Sequence, residues 1–101
     1  MIAVMISSSG VSWTFYCHAG DKVFLVENGE AAEGKREEAM EHLIREARWM
    51  FGDLRIVFFT RDDEWKELIH DGAGHLKEIV DYDGPVPEQQ EETDDGRDSI
   101  A

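Results

Sequence analysis

The side chains with chemistry to offer in this 101-residue sequence are mostly carboxylates: 23 acids stand against ten lysines and arginines, with four histidines and one cysteine. Carboxylates can gather divalent cations, move protons, or present negative charge to a basic surface. The densest groups are Glu37, Glu38 and Glu41 in one segment, Asp62-Asp63-Glu64 in a second, and Asp81 with Asp83 in a third. His70 and His75 flank Asp71 and a Gly72-Ala73-Gly74 break. Such a group could ligate zinc, but it lacks the tight spacing and full donor set of specific zinc motifs, so exposed histidines at a helix end are the expectation. Cys17 beside His18 has the composition of a nucleophile and base, yet adjacent strand residues point to opposite faces. In phase with Trp13 and Phe15, Cys17 is expected as a buried, inert thiol. Glu38 with His42, and Glu41 with Arg45, sit one helical turn apart as ordinary surface pairs.

The formal charge is −13. From Asp83 onward there are seven acids and one base, a charge of −6 that leaves −7 on residues 1–82. An acidic surface repels nucleic-acid phosphates and anionic lipid heads, because binding them depends on Lys and Arg displacing counterions. Direct contact with nucleic acid or membrane is therefore disfavoured. The excess charge has three readings: solubility, adaptation to high salt, or a surface that competes for a basic site on another protein. A single cysteine permits no internal disulfide and suits a reducing compartment. The apolar run at residues 1–6 lacks a basic flank and is too short for a signal peptide or a membrane span, so a cytoplasmic protein is expected.

The elements that must position these groups follow from periodicity. Ile2 to Ile6 is a nearly continuous apolar run ended by Ser7-Ser8-Ser9-Gly10, as for a short strand buried on both faces. Val11 to His18 alternates and predicts a half-buried second strand. After Ala19-Gly20-Asp21, Lys22 to Glu27 gives a third strand and completes an antiparallel meander. From about Gly34 to Phe51 the period changes to three and four, with Ala39, Met40, Leu43, Ile44, Ala47, Met50 and Phe51 on one stripe of a helix, and Trp49 off it. Leu54 to Phe59 is a central fourth strand. Thr60 is placed to cap a second helix over Arg61 to His70, opened by Asp62-Asp63-Glu64, and a last amphipathic stretch covers His75 to Tyr82. Residues 83–101 cannot bury enough apolar area to offset their ordering entropy and are expected as a disordered acidic tail behind a single α/β domain, residues 1–82.

In this scheme the two doubly apolar strands, Ile2–Ile6 and Leu54–Phe59, lie side by side and parallel beneath the crossover helix. The arrangement resembles the first half of a ribonuclease H-like domain. The carriers of that resemblance are the short first strand with its Ser-rich exit, the Gly20-centred hairpin, the Glu-rich start of the long helix, and Ile56-Val57-Phe58-Phe59-Thr60-Arg61-Asp62-Asp63. The resemblance implies two magnesium ions held by carboxylates. Glu38 (or Glu37 or Glu41), Asp62, Asp63 and Asp81 (or Asp83) are the residues that would take those roles. The first-strand acid is missing, with Ser7, Ser8 or Ser9 in its place, and a hydroxyl is a weak substitute for an anionic ligand.

The leading expectation is accordingly a non-enzymatic, acidic interaction module with no cofactor. Its partner would be a basic protein, in one version a nucleic-acid-binding protein blocked by a phage or mobile-element inhibitor that mimics nucleic-acid charge. Trp49, Asp62, Asp63 and Glu64 are the candidate partner-binding residues. The alternatives are a magnesium-dependent ribonuclease H-like nuclease, and a self-assembling structural subunit that adds strands at an exposed edge on the third strand.

Overall fold

Alternating apolar residues and positive-φ turns produce six strands, with one helix inserted halfway. The computed structural model describes residues 5–87. The elements are β1 (Met5–Ser8), β2 (Val11–Ala19), β3 (Lys22–Gly29), α1 (Arg36–Phe51), β4 (Arg55–Phe59), β5 (Trp65–His70) and β6 (Leu76–Asp81). Spatial order equals chain order, β1-β2-β3-β4-β5-β6, in one mixed sheet. All neighbours are antiparallel except β3 and β4, which run parallel on either side of the α1 crossover. The fold is thus two three-stranded meanders joined at a parallel seam. The sheet curls, so that α1 touches the strands at both of its edges, β1 and β6.

The concave face holds the main core. Trp13, Leu25, Ile56 and Phe58 pack against Met40, Leu43 and Ile44 of α1, all of them buried. Glu37 and Glu38 in the first turn of α1 and Arg48 in its last suit the helix dipole. Two devices fasten the rest of the chain to the helix. Glu41 Oε2 accepts the Leu76 N–H at 3.0 Å, and the Arg45 stem lies against Gly74, so the β5–β6 turn is held onto α1.

The convex face is less bare than a one-helix sheet suggests. Phe24 and Val57 on that face are 1% and 0% exposed. Trp65 and Tyr82 both set their rings edge-on to Phe24, and Phe59 tilts against Trp65 at 5.0 Å. Beside them Arg55 donates two hydrogen bonds to the Glu67 carboxylate, at 2.8 and 2.9 Å. That contact, with Asp21 nearby, strengthens the Arg55 guanidinium's hold on its proton. The Tyr82 hydroxyl donates to Pro85 O at 2.8 Å, and Pro85, Val86 and Pro87 border the same aromatic patch. The remainder of the expected acidic tail lies outside the described residues.

Several expectations are corrected. The first and fourth strands are not neighbours: β2 and β3 separate them, and β4 pairs with β3. β1 is an edge strand rather than a central one. The second helix and the last stretch, expected as one or two short helices, are β5 and β6. Trp65, Leu68 and Ile69 suit a helix stripe, but pairing to β4 overrides that local pattern. The third strand is interior, so among the described residues the sheet edges are β1 and β6. Finally, a β-bulge between Phe15 and Cys17 shifts the phase of β2, and Cys17 then lies opposite Phe24 on the convex side, away from Trp13 and Phe15. It is half-buried there, and desolvation pushes its thiol pKa up.

Candidate functional site

The parallel seam decides where a cleft can open. β3 and β4 end at the same side of the sheet, and the chain leaves them in different directions, β3 into the 30–35 loop and β4 into a hairpin turn. In open α/β sheets the crevice beyond the carboxyl ends of parallel strands is the usual ligand site. Here it is a cleft of about 440 Å³ floored by Phe58 and Ile79. Its walls carry Glu27, Glu30, Glu33, Asp62 and Glu64 against Arg36, Arg61 and Lys66.

Local chemistry fixes both walls. Gly29 has φ +79°, and a Cβ there would stand 2.7 Å from the Gly10 carbonyl oxygen, so only glycine lets β3 leave so close to the β1–β2 turn. Ala32 N–H donates to Ser9 O at 2.6 Å and pins the loop that follows. On the opposite wall the Thr60 hydroxyl accepts the N–H groups of Asp62 and Glu64, both at 3.2 Å, and Thr60 N–H donates to Glu64 O. Thr60 does cap free amides, as its position implies, but those of a tight turn rather than of a helix. Asp63, with φ 64°, sits at the tip. Asp62, Asp63 and Glu64 are all exposed.

The cations of the cleft are all neutralised. Arg36 Nη1 donates to Glu27 Oε2 at 2.6 Å, and Glu27's side chain is 3% exposed. Arg61 faces Glu30 at 3.5 Å. Lys66 donates to Asp81 and lies 3.3 Å from Glu64, and these two carboxylates, Asp81 foremost, raise its pKa. Among the described residues Glu33, Asp62 and Asp63 have no cation at ion-pair distance. The cleft mouth therefore carries uncompensated negative charge.

The other candidates lie apart. Trp49 is 84% exposed beside Arg45, Arg48 and Asp53, at the far end of α1. A helix of 16 residues is roughly 24 Å long, so Trp49 and the Asp62-Asp63-Glu64 turn do not form one patch. Of the carboxylates implied for magnesium, Glu38 pairs with Lys35 at 3.5 Å and Asp81 with Lys66, while Asp62 and Asp63 stand on the β4–β5 turn. Among the described residues no three His, Cys, Asp or Glu side chains come together as a metal-binding group, so this donor set does not fit a two-metal centre. The His70, Asp71 and His75 group makes up a hairpin turn: Asp71 Oδ1 accepts the Ala73 and His75 N–H groups, Asp71 Oδ2 contacts His75 Nδ1 at 2.8 Å, and His70 Nδ1 accepts from Gly72.

Sequence reasoning missed Glu27, Glu30, Glu33, Arg36, Arg61 and Lys66. The strand phase held a signal for the first: Val23, Leu25 and Glu27 share one face, so a glutamate had to be buried against a cation. Comparison with family models, with curated proteins and with solved structures finds no match to this chain. No helix among the described residues is long and apolar enough to cross a membrane.

Proposed function

We infer that this protein is an acidic interaction module whose cleft mouth docks lysine or arginine side chains of a basic partner protein. One observation carries the reading: among the described residues Glu33, Asp62 and Asp63 have no cation at ion-pair distance, while every cation lining the cleft is already paired with a carboxylate. An approaching anion would meet no free cation there. An approaching lysine or arginine gains charge-assisted hydrogen bonds without first breaking an ion pair. The turn that carries Asp62 and Asp63 is held by Thr60, so these groups are partly preorganised. A basic nucleic-acid-binding protein, met at its phosphate-binding surface, is the partner class that this charge pattern suits.

The test is affinity capture from host lysate with the full chain, at about 0.05 M and about 0.5 M salt, where screening lengths differ severalfold. The expected outcome is a basic protein retained at low salt and released at high salt. It should also be lost by a Glu33→Lys/Asp62→Lys/Asp63→Lys variant that unfolds at a near-unchanged temperature. Equal retention by that variant, or binding indifferent to salt, refutes the reading.

A further inference from the structure

The convex face of the sheet gathers aromatic side chains, whereas α1 covers the concave one. Tyr16, Phe24 and Phe59 each set a ring against Trp65, and Phe24 also meets Tyr82, with centroids 5.0 to 5.9 Å apart. Phe24 is buried at the centre of this array, and the four rings around it are half-buried, so part of each is open to a ligand. One end of the array already holds a segment of the chain itself. Beyond β6 the backbone turns back and lays Pro85-Val86-Pro87 beside Phe24, Tyr82 and Lys22, around a hollow of about 270 Å³. The Tyr82 hydroxyl donates to Pro85 O at 2.8 Å, and Val86 and Pro87 are half-buried. Gly84 passes so close over Tyr82 that a Cβ there would stand 2.6 Å from the hydroxyl oxygen, so a glycine lets the segment fold back onto the ring.

The chemistry of that segment says what the face accepts. Proline fixes φ near about −65° and favours an extended backbone whose carbonyls have no internal partner. Aromatic-lined grooves recognise such segments because the ordering entropy is already low, the rings take the apolar side chains, and a donor at the ring edge takes a carbonyl. Phe24, Tyr82 and the Tyr82 hydroxyl supply these contacts here. We propose that the convex aromatic face is a docking site for an extended, proline-containing segment of a partner protein, and that Pro85-Val86-Pro87 holds the site in cis until such a segment displaces it. A longer partner segment gains contacts with the half-exposed Tyr16 and Trp65, which lie outside the hollow. A nucleic-acid strand would also stack on the rings, but the cations beside them are taken, Arg55 by Glu67 and Lys22 by Asp21. The site is independent of the cleft-docking reading: it lies on the other side of the sheet from Phe58 and Ile79 and uses none of the cleft carboxylates.

The test is an NMR titration of the full chain with a blocked peptide of the sequence Gly84–Glu88. The opened variant Pro85→Ser/Val86→Ser/Pro87→Ser should bind this peptide about threefold or more tightly than the unmodified chain, where the tethered segment competes at an effective concentration in roughly the millimolar range. Adding Tyr82→Phe to the opened variant removes the hydroxyl donor and should weaken binding about two- to tenfold. The same peptide carrying Pro85→Ser and Pro87→Ser should bind more weakly than the parent. In the unmodified chain, saturating peptide should move the Val86 amide and Trp65 indole signals together, as one segment leaves and the other arrives, and this readout stands even if the opened variant does not fold. No binding by a folded opened variant, equal binding of the serine peptide, or shifts confined to the cleft residues overturns the proposal.

Discussion

Replacing Arg36 by alanine should cost this domain more than a surface arginine would. Among the described residues its guanidinium is the one ion-pair partner of Glu27, whose side chain is 3% exposed while that of Arg36 is 49% exposed. Removing one member of a buried pair costs about 3–5 kcal/mol, because the remaining charge is stranded. Arg36 borders solvent, and water admitted by its removal offsets part of that cost, so about 2–3 kcal/mol is expected. For a domain of this size that lowers the melting temperature by roughly 10–20 °C. The decisive comparison is with Glu27→Gln/Arg36→Ala, which removes the stranded charge at nearly constant volume. Urea unfolding followed by tryptophan fluorescence should place the double variant above the single one by about 1 kcal/mol or more. If the two unfold at the same urea concentration, the carboxylate of Glu27 is not desolvated and the account of the cleft wall fails.

Gly29→Ala should destabilise by about 2 kcal/mol or more, since it combines a left-handed φ with a backbone clash. Gly20→Ala, at φ +61° with nothing within 4 Å, should cost about 1 kcal/mol, and thermal melts of both separate the two causes. The Asp71 carboxyl is held well below the usual range by the Ala73 N–H, the His75 N–H and the His75 ring. A depressed folded pKa makes the unfolded chain bind more protons, so this contribution is present above the ordinary aspartate pKa and is lost as pH falls below it. Asp71→Ala should therefore flatten the acid limb of the stability–pH curve, and an unchanged limb in acid titration of the variant would exclude the turn as its source.

The meander and the long helix were legible because each has a single dominant period. β2 alternates as far as Phe15, and α1 keeps its stripe throughout. Where two periods coexist, local pattern misled. Trp65, Leu68 and Ile69 satisfy a helical spacing, while in the sheet Trp65 and Leu68 serve opposite faces, Trp65 on Phe24 and Leu68 in the core under α1. The doubly apolar first strand suggested a central position, but strand order depends on which edges meet, and that is a property of the whole sheet. The bulge at Tyr16 has no sequence mark, so the face of Cys17 could not be read by counting. At the site, the exposed acids were visible in the sequence as acids. Their pairing was not, because Arg36, Arg61 and Lys66 come from three elements that meet only once the parallel seam has formed.

That seam also bears on how the chain finds its fold. Four of the five strand junctions close over short turns, whereas β3 and β4 bring Lys22 beside Arg55 across the whole helix-bearing crossover. Chain closure grows costlier with the length of the intervening loop, so the two hairpin triplets can assemble early and apart, and their union is the slow, long-range event. Helix α1 shortens that search by condensing the crossover. Substitutions that weaken the helix, or the hairpins that precede the union, should thus delay assembly, while changes in contacts made only after the seam has closed should mainly hasten unfolding.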